Sequence, residues 1–363
     1  MPGGGGPSHR GKYLASRRLP PVASRLVDID TRALDAAIAD APFSGVVTVD
    51  VGDRRVLERT AGYAHRPLQA PMTVDTRIAV ASGSKALTAV AVMRLVEDGV
   101  LRLDQPVREL LGADLPLVDD AVTVAHLLGH TSGIGDYLDE DSDWEPEDYV
   151  LTVPPHTLTT AAAFLPMLEG HPRKFPAGER FSYCNGGYMV LALILERATG
   201  QTYHDVVRRL VLVPAGLRAT DFLPLNALPA GAAVGYVHDD GDLTNTLHLP
   251  VLGNGDGGAF TTAADLHRFW CALLDGRLVS REGVDTLTRP RHDVPEEGMR
   301  YGMGFWLHES AHALVLEGYD AGASFRSTHV VDSRTTVSVL GNTSEGAWPV
   351  IGALAEAVDA SLA

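Results

Sequence analysis

Ser82 and Lys85 stand three residues apart at the head of an alanine-rich apolar run, AVASGSKALTAVAVMRLVEDG, residues 79–99. A serine hydroxyl attacks a carbonyl well only after something takes its proton. Three positions are just under one helical turn, so on a helix the two side chains share a face. Apolar surroundings disfavour an ammonium, which lets a lysine placed there act as the base. The chain has three lysines, Lys12, Lys85 and Lys174, among many arginines. Arginine keeps its proton in a protein and cannot stand in for a lysine that must release one. S-x-x-K alone is a weak signal, since a capping serine and a snorkelling surface lysine give the same spacing, so a second group matters. In FPAGERFSYCNGGYMVLALILERATG, Tyr183 and Asn185 flank Cys184 just before another apolar helix. A phenol beside an ammonium can carry a proton, and a carboxamide can bond both a lysine and a substrate amide.

The elements that must position these residues follow from periodicity. DIDTRALDAAIAD, from residue 28, reads as an opening helix. SGVVTVDVGDRRVLERTAGYA breaks at Gly52-Asp53 and predicts an antiparallel hairpin. The middle of the chain is helical, with Pro/Gly breaks between segments such as TVAHLLGH and TYHDVVRRLVLVPAG. After about residue 300 short Val/Leu/Phe-rich runs predict strands, closed by a helix from Ala347. Strands at both ends with helices between predict an α+β fold, one sheet built from both termini.

Composition bounds the function. A formal net charge of −16 and a pI near 5.2, with no basic stripe, exclude a nucleic-acid binder. Cys184 and Cys271 form no CxxC pair, which points to a reducing compartment. Residues 1–27 read as a disordered Gly/Pro/Arg-rich leader without a signal-peptide core, and no later run is long enough to cross a bilayer. The expectation is a cytoplasmic protein with a small-molecule substrate and no membrane partner. His126 and His130 lie four apart, a zinc-ligand spacing, but no helix-borne glutamate follows the first. Eight acids crowd residues 136–148, where Trp144 and Val150 spoil a calcium loop, so that stretch reads as a solvated lid over the cleft. Neither a metal nor an organic cofactor is expected.

On these motifs, and on TVAHLLGHTSGIGDY, GDGGAFTTAADLHRFWCALL and YGMGFWL in the same order, the chain resembles the serine β-lactamase and penicillin-binding-protein superfamily. Within it the resemblance is to the branch of class C β-lactamases, D-alanyl-D-alanine carboxypeptidases, D-aminopeptidases and family VIII esterases. It implies a β-lactamase/transpeptidase-like fold: an antiparallel sheet flanked by helices, from about 28–80 and 290–363, and an all-helical lobe over about 95–285, in a single domain from 28 to 363. It also implies that Ser82 is the nucleophile at the head of the central helix, Lys85 its partner, Tyr183 the second base and Asn185 the substrate-orienting amide. An acyl-enzyme then forms through a tetrahedral intermediate held by two backbone N–H groups.

The family's third motif, Lys-Thr-Gly or His-x-Gly, departs here. No lysine follows Lys174, and His308, His312 and His329 are followed two places on by Ser310, Leu314 and Val331. Counting back from Phe325 places Gly318-Tyr319-Asp320 there, or Tyr319-Asp320-Ala321 in the adjacent frame. Asp320, with Glu317 close by, is expected to repel a substrate carboxylate and favour a neutral or amine-bearing substrate, Arg326 being the alternative source of positive charge. The function expected is serine hydrolysis of an ester or amide. An acyltransferase using the same acyl-enzyme and a non-catalytic binding module with this fold are the alternatives.

Overall fold

The computed structural model describes residues 31–140, 150–309 and 312–362. The expected leader, and residues 141–149 of the acidic run, lie outside them. Helix α1 (Arg32–Asp40) leads into the hairpin of β1 (Gly45–Val51) and β2 (Arg54–Ala61). The major helices of the middle are α2 (Lys85–Glu97), α3 (Asn185–Thr199) and α4 (Ala263–Leu274). Strands β3 (His292–Val294), β4 (Met299–Tyr301), β5 (Trp306–His308), β6 (Ala313–Asp320), β7 (Ala323–Val330) and β8 (Thr335–Gly341) follow, then helix α5 (Trp348–Leu362).

These strands form one antiparallel sheet in the order β2-β1-β8-β7-β6-β5-β4-β3. β1 pairs with β8 from Gly45↔Gly341 to Val51↔Thr335, so the two ends of the chain meet in its interior. Alternation divides the side chains between two faces. On one, Val47, Val49 and Val339 pack with Leu34 of α1 and Val350 and Leu354 of α5. On the other, Leu316, Phe325 and Leu340 join the main core with Val90 of α2, Leu191 of α3 and Phe269 of α4.

α2 and α3 are apolar almost all round because both are enclosed: Ala89, Val90, Ala91, Val92 and Leu191 to Leu195 are essentially unexposed. α4 also packs against the sheet, its Trp270 Nε1 donating to Ser327 Oγ of β7 at 3.0 Å. Its apolar stripe is legible in sequence, but what the stripe covers is settled by packing. A small three-stranded sheet pairs Ile78–Ala79 and Asp221–Phe222 with Ala259–Thr261. It draws residues 253–258 up to the turn Ala81–Ser84, where Gly258 N donates to Ala81 O at 3.2 Å. Among the described residues no helix is long and apolar enough to cross a membrane.

β6 lies against the same turn. A Cβ on Gly318 would overlap the Val80 carbonyl oxygen and come within 3.0 Å of Gly83 N. Gly318→Ala should therefore lower stability by about 1–3 kcal/mol, as overpacking does, and slow turnover by pushing β6 off the turn. Gly352→Ala, on α5 with open space at its Cβ, should instead stabilise by up to about 1 kcal/mol from helix propensity. Denaturant midpoints of the two variants check the contrast.

Candidate active site

Ser82 sits in a 3₁₀ turn, Ala81–Ser84, that runs straight into α2, whose first residue is Lys85. This is the head of the central helix, where the sequence had placed it; the turn there is 3₁₀ rather than α, and Ala81 adopts φ +45, a conformation that costs a non-glycine residue of order 1 kcal/mol. Ser84, the neighbouring hydroxyl, donates to Ala81 O at 2.6 Å and accepts from Ala259 N at 3.3 Å, so it is spent on structure. Ser82 remains partly exposed at the cleft.

Lys85 is 2% exposed. Its Nζ donates to Ser82 Oγ at 2.9 Å, Asn185 Oδ1 at 2.8 Å and the Asp256 carbonyl at 2.6 Å. Three N–H groups meet three neutral oxygens. An ammonium is satisfied there; after losing one proton the amine has a lone pair with which to accept the Ser82 hydroxyl.

Tyr183 lies on the same side, its ring centroid 5.0 Å from Lys85 Nζ. Aromatic neighbours hold it: it stacks on Trp306 at 6.0 Å and 9° and lies 4.2 Å from the His130 ring. His130 is buried and accepts from Cys184 N at Nδ1, so its Nε2 carries the proton and donates to Tyr301 Oη at 3.1 Å. Burial, then the Lys85 charge, hold it well below the usual histidine range, so it is a neutral prop behind Tyr183. His126 instead accepts from Thr123 N in a capping box. The two histidines with zinc-like spacing thus do separate structural jobs. Among the described residues no group of three acids, histidines or cysteines could hold a metal ion.

Asn185 opens α3. Asp136 accepts from Asn185 N at 2.6 Å and Gly186 N at 2.8 Å, capping the helix. Burial nevertheless pushes the Asp136 carboxyl up to about 6. The Asn185 amide already donates to Leu138 O at 3.0 Å and Glu140 Oε1 at 3.1 Å. The substrate contact expected of it therefore falls to the second lone pair of Oδ1, beside the Lys85 bond, unless one of the Nδ2 bonds opens. Asp136 is buried and Glu140 bonds Asn185, so this end of the acidic run is part of the site's scaffold rather than a solvated lid.

Strand alternation decides the third motif. Gly318 faces the nucleophile turn and pairs with Phe325, and Asp320, two residues on, shares its face. Tyr319 points the other way, its ring 6.2 Å from that of Trp348 on α5, so it is removed from the cleft. Glu317 shares that far face and is ion-paired with Arg326. Neither of those two charges acts on the cleft as expected. Ala321 is buried, donating to Asp320 Oδ1 at 3.0 Å and accepting from Asn245 Nδ2 at 2.9 Å. Burial pushes Asp320 up to about 7 against the Ala321 N–H bond, Asp256 and Glu140 adding to the push and Lys85 opposing it.

Asp256 and Tyr137 were missed in the sequence. The Tyr137 hydroxyl donates to Asp256 Oδ2, whose carboxyl is raised chiefly by burial. The available signal was one acid among Gly253, Gly255, Gly257 and Gly258, a pattern that permits close backbone approach. A Cβ on Gly255 would overlap the Tyr188 carbonyl oxygen.

A family model described as Beta-lactamase matches residues 31–360. Penicillin-binding protein 4* of Bacillus subtilis (strain 168) is 28% identical over 322 residues, 84% of this chain and 69% of that protein. D-aminopeptidase of Brucella anthropi is 28% identical over 337 residues, 88% of this chain and 61% of that protein. Among solved structures, penicillin binding protein from Bacillus halodurans superimposes with a TM-score of 0.82 at 35% identity, covering 88% of this chain and 98% of that one.

Asp320 makes stability depend on pH. In the unfolded chain its carboxyl ionises near 3.8, while the folded protein keeps the proton to about 7. Between those values the native state binds more protons, so stability falls as pH rises through the window. Asp320→Asn removes that loss and keeps an oxygen for Ala321 N. Its melting temperature should exceed the parent's at pH 8 by more than at pH 4, as differential scanning calorimetry can read.

Proposed function

The chain belongs to the Beta-lactamase family, and from that premise we propose that it is a serine hydrolase that cleaves esters or amides through an acyl-enzyme on Ser82. The observation that carries this reading is the buried Lys85 Nζ 2.9 Å from Ser82 Oγ. Lys85, once deprotonated, takes the hydroxyl proton as Ser82 Oγ bonds to the substrate carbonyl carbon. Negative charge develops on the carbonyl oxygen beside the Ser82 N–H, at the head of α2, where the helix dipole favours an anion. The C–O or C–N bond then breaks. The leaving alcohol or amine takes its proton from the Lys85 and Tyr183 path, and water repeats the sequence in reverse to free Ser82.

The third motif supports a substrate without a carboxylate. No lysine or histidine occupies it, and Asp320 shares the cleft-facing side of β6 with Gly318. Its Oδ1 takes the Ala321 N–H, which leaves the other oxygen to receive a donor from the substrate. Above about pH 7, where Asp320 has given up its proton, a substrate carboxylate meets repulsion there and an ammonium meets attraction; below it the neutral carboxyl only exchanges hydrogen bonds. Penicillins and cephalosporins are therefore poor substrates, and amine-bearing amides or esters are good ones.

The test is a panel of p-nitrophenyl esters, D-amino-acid p-nitroanilides and nitrocefin, followed by intact mass spectrometry. Esters or amine-bearing amides should acylate the parent and turn over, and Ser82→Ala should do neither. A nitrocefin efficiency on the order of 10⁵ M⁻¹ s⁻¹ or better, as in ordinary efficient enzymes, would refute the substrate assignment. Asp320→Asn should reduce the preference for amine-bearing over neutral substrates by roughly 1–3 kcal/mol, the range for a hydrogen bond to a charged group.

A further inference from the structure

We propose that Tyr137 and Asp256 are positioning residues, whose side-chain contact holds the Asp256 carbonyl on Lys85 and so keeps the Ser82 proton path aligned. This rests on the reading above that Lys85 serves Ser82.

The loop that supplies the carbonyl is intrinsically loose. Residues 253–258 contain Gly253, Gly255, Gly257 and Gly258, and glycines give a chain many conformations to lose. Its flanks are tied down: His204 Nε2 bonds Gly253 O at 2.8 Å, Thr88 Oγ1 donates to Gly255 O at 2.7 Å, and Gly258 N donates to Ala81 O at 3.2 Å. Asp256 lies between those ties. Its carboxyl takes the Tyr137 hydroxyl, which reaches it from 119 residues away, while Gly257 N turns back to Asn254 O at 3.3 Å within the loop. Tyr137 is thus the long-range tie on the very residue whose carbonyl meets Lys85 Nζ at 2.6 Å.

Tyr137 does not act in isolation. It belongs to residues 136–140, which also fix Asn185: Asp136 caps its helix, and Leu138 O and Glu140 Oε1 take its two amide protons. One five-residue segment therefore governs two of the three oxygens around the ammonium. The other groups facing Lys85 are the Tyr183 and Tyr188 rings, the neutral His130 behind them, and the carboxyl of Asp320. None of these grips the 253–258 carbonyl.

The experiment measures covalent labelling of Ser82 by a fluorophosphonate, resolved into the maximal rate and the half-saturating concentration. The probe reports nucleophile activation and needs no knowledge of the natural substrate. Tyr137→Phe should lower the maximal rate about 10-fold, within the range caused by small misplacements near a reacting group, and leave half-saturation within about twofold. Asp256→Asn keeps an oxygen that accepts from Tyr137, so it should retain more of the rate than Asp256→Ala. Tyr137→Phe combined with Asp256→Ala should be no slower than Asp256→Ala alone. The inference is overturned if Tyr137→Phe labels within twofold of the parent, if Asp256→Asn is as slow as Asp256→Ala, or if the two losses multiply. If Tyr137→Phe does not fold, the two Asp256 variants decide. A parent that labels elsewhere than Ser82 refutes the functional reading and this inference with it, whereas a labelled parent with an unmoved Tyr137→Phe refutes this inference alone.

Discussion

A buried ammonium must have all its protons spoken for, and the arrangement around Ser82 follows from that constraint. Lys85 is 2% exposed and finds one acceptor one turn away, Ser82, and two on distant parts of the chain, Asn185 and Asp256. Leaving one of them out would strand a buried donor, at a penalty of order 1–3 kcal/mol or more for a charged group. All three are neutral oxygens. A carboxylate in direct contact would favour the charged lysine far more strongly and oppose its release of a proton. The largely enclosed helices α2 and α3 carry Lys85 and Asn185 on their first turns, so the lysine's shell sits at the edge of the main core.

The sheet supplies the other wall, and it does so by joining both ends of the chain. With β1 paired to β8, and β7 and β6 following, Gly318 is carried to the turn that holds Ser82. Close approach is possible because that position lacks a side chain. Two residues further on, the same face presents Asp320, with no lysine or histidine beside it on β6. Lys174, the other lysine among the described residues, is ion-paired with Asp139 at 2.5 Å.

Much of this was legible in the residues. The S-x-x-K spacing needs only helical geometry to bring its two side chains together, and 2.9 Å between Nζ and Oγ is what such spacing produces. The α+β order and the hairpins followed from periodicity for the same local reason. The third motif was harder. Counting back from Phe325 located Gly318, which the ladder pairs with Phe325, yet Glu317 and Tyr319 were drawn into the cleft with Asp320. Strand alternation puts them on the opposite face, with Arg326 and Trp348, and which face meets the nucleophile depends on how the sheet packs.

The acidic run shows the same division from another side. As composition, eight acids in residues 136–148 read as a solvated surface, because nothing local distinguishes Asp136 from Asp143. In the fold Asp136 is buried as a helix cap, and its neighbour Tyr137 reaches Asp256 across 119 residues. The sequence by itself determined the groups whose chemistry depends on near neighbours: a serine, a lysine one turn away, and the apolar helix that follows. Only the tertiary structure decided which distant oxygens complete the lysine's shell and which carboxylates face the cleft, because hydrogen bonds and charges act through space, and their partners come from segments that only packing brings together.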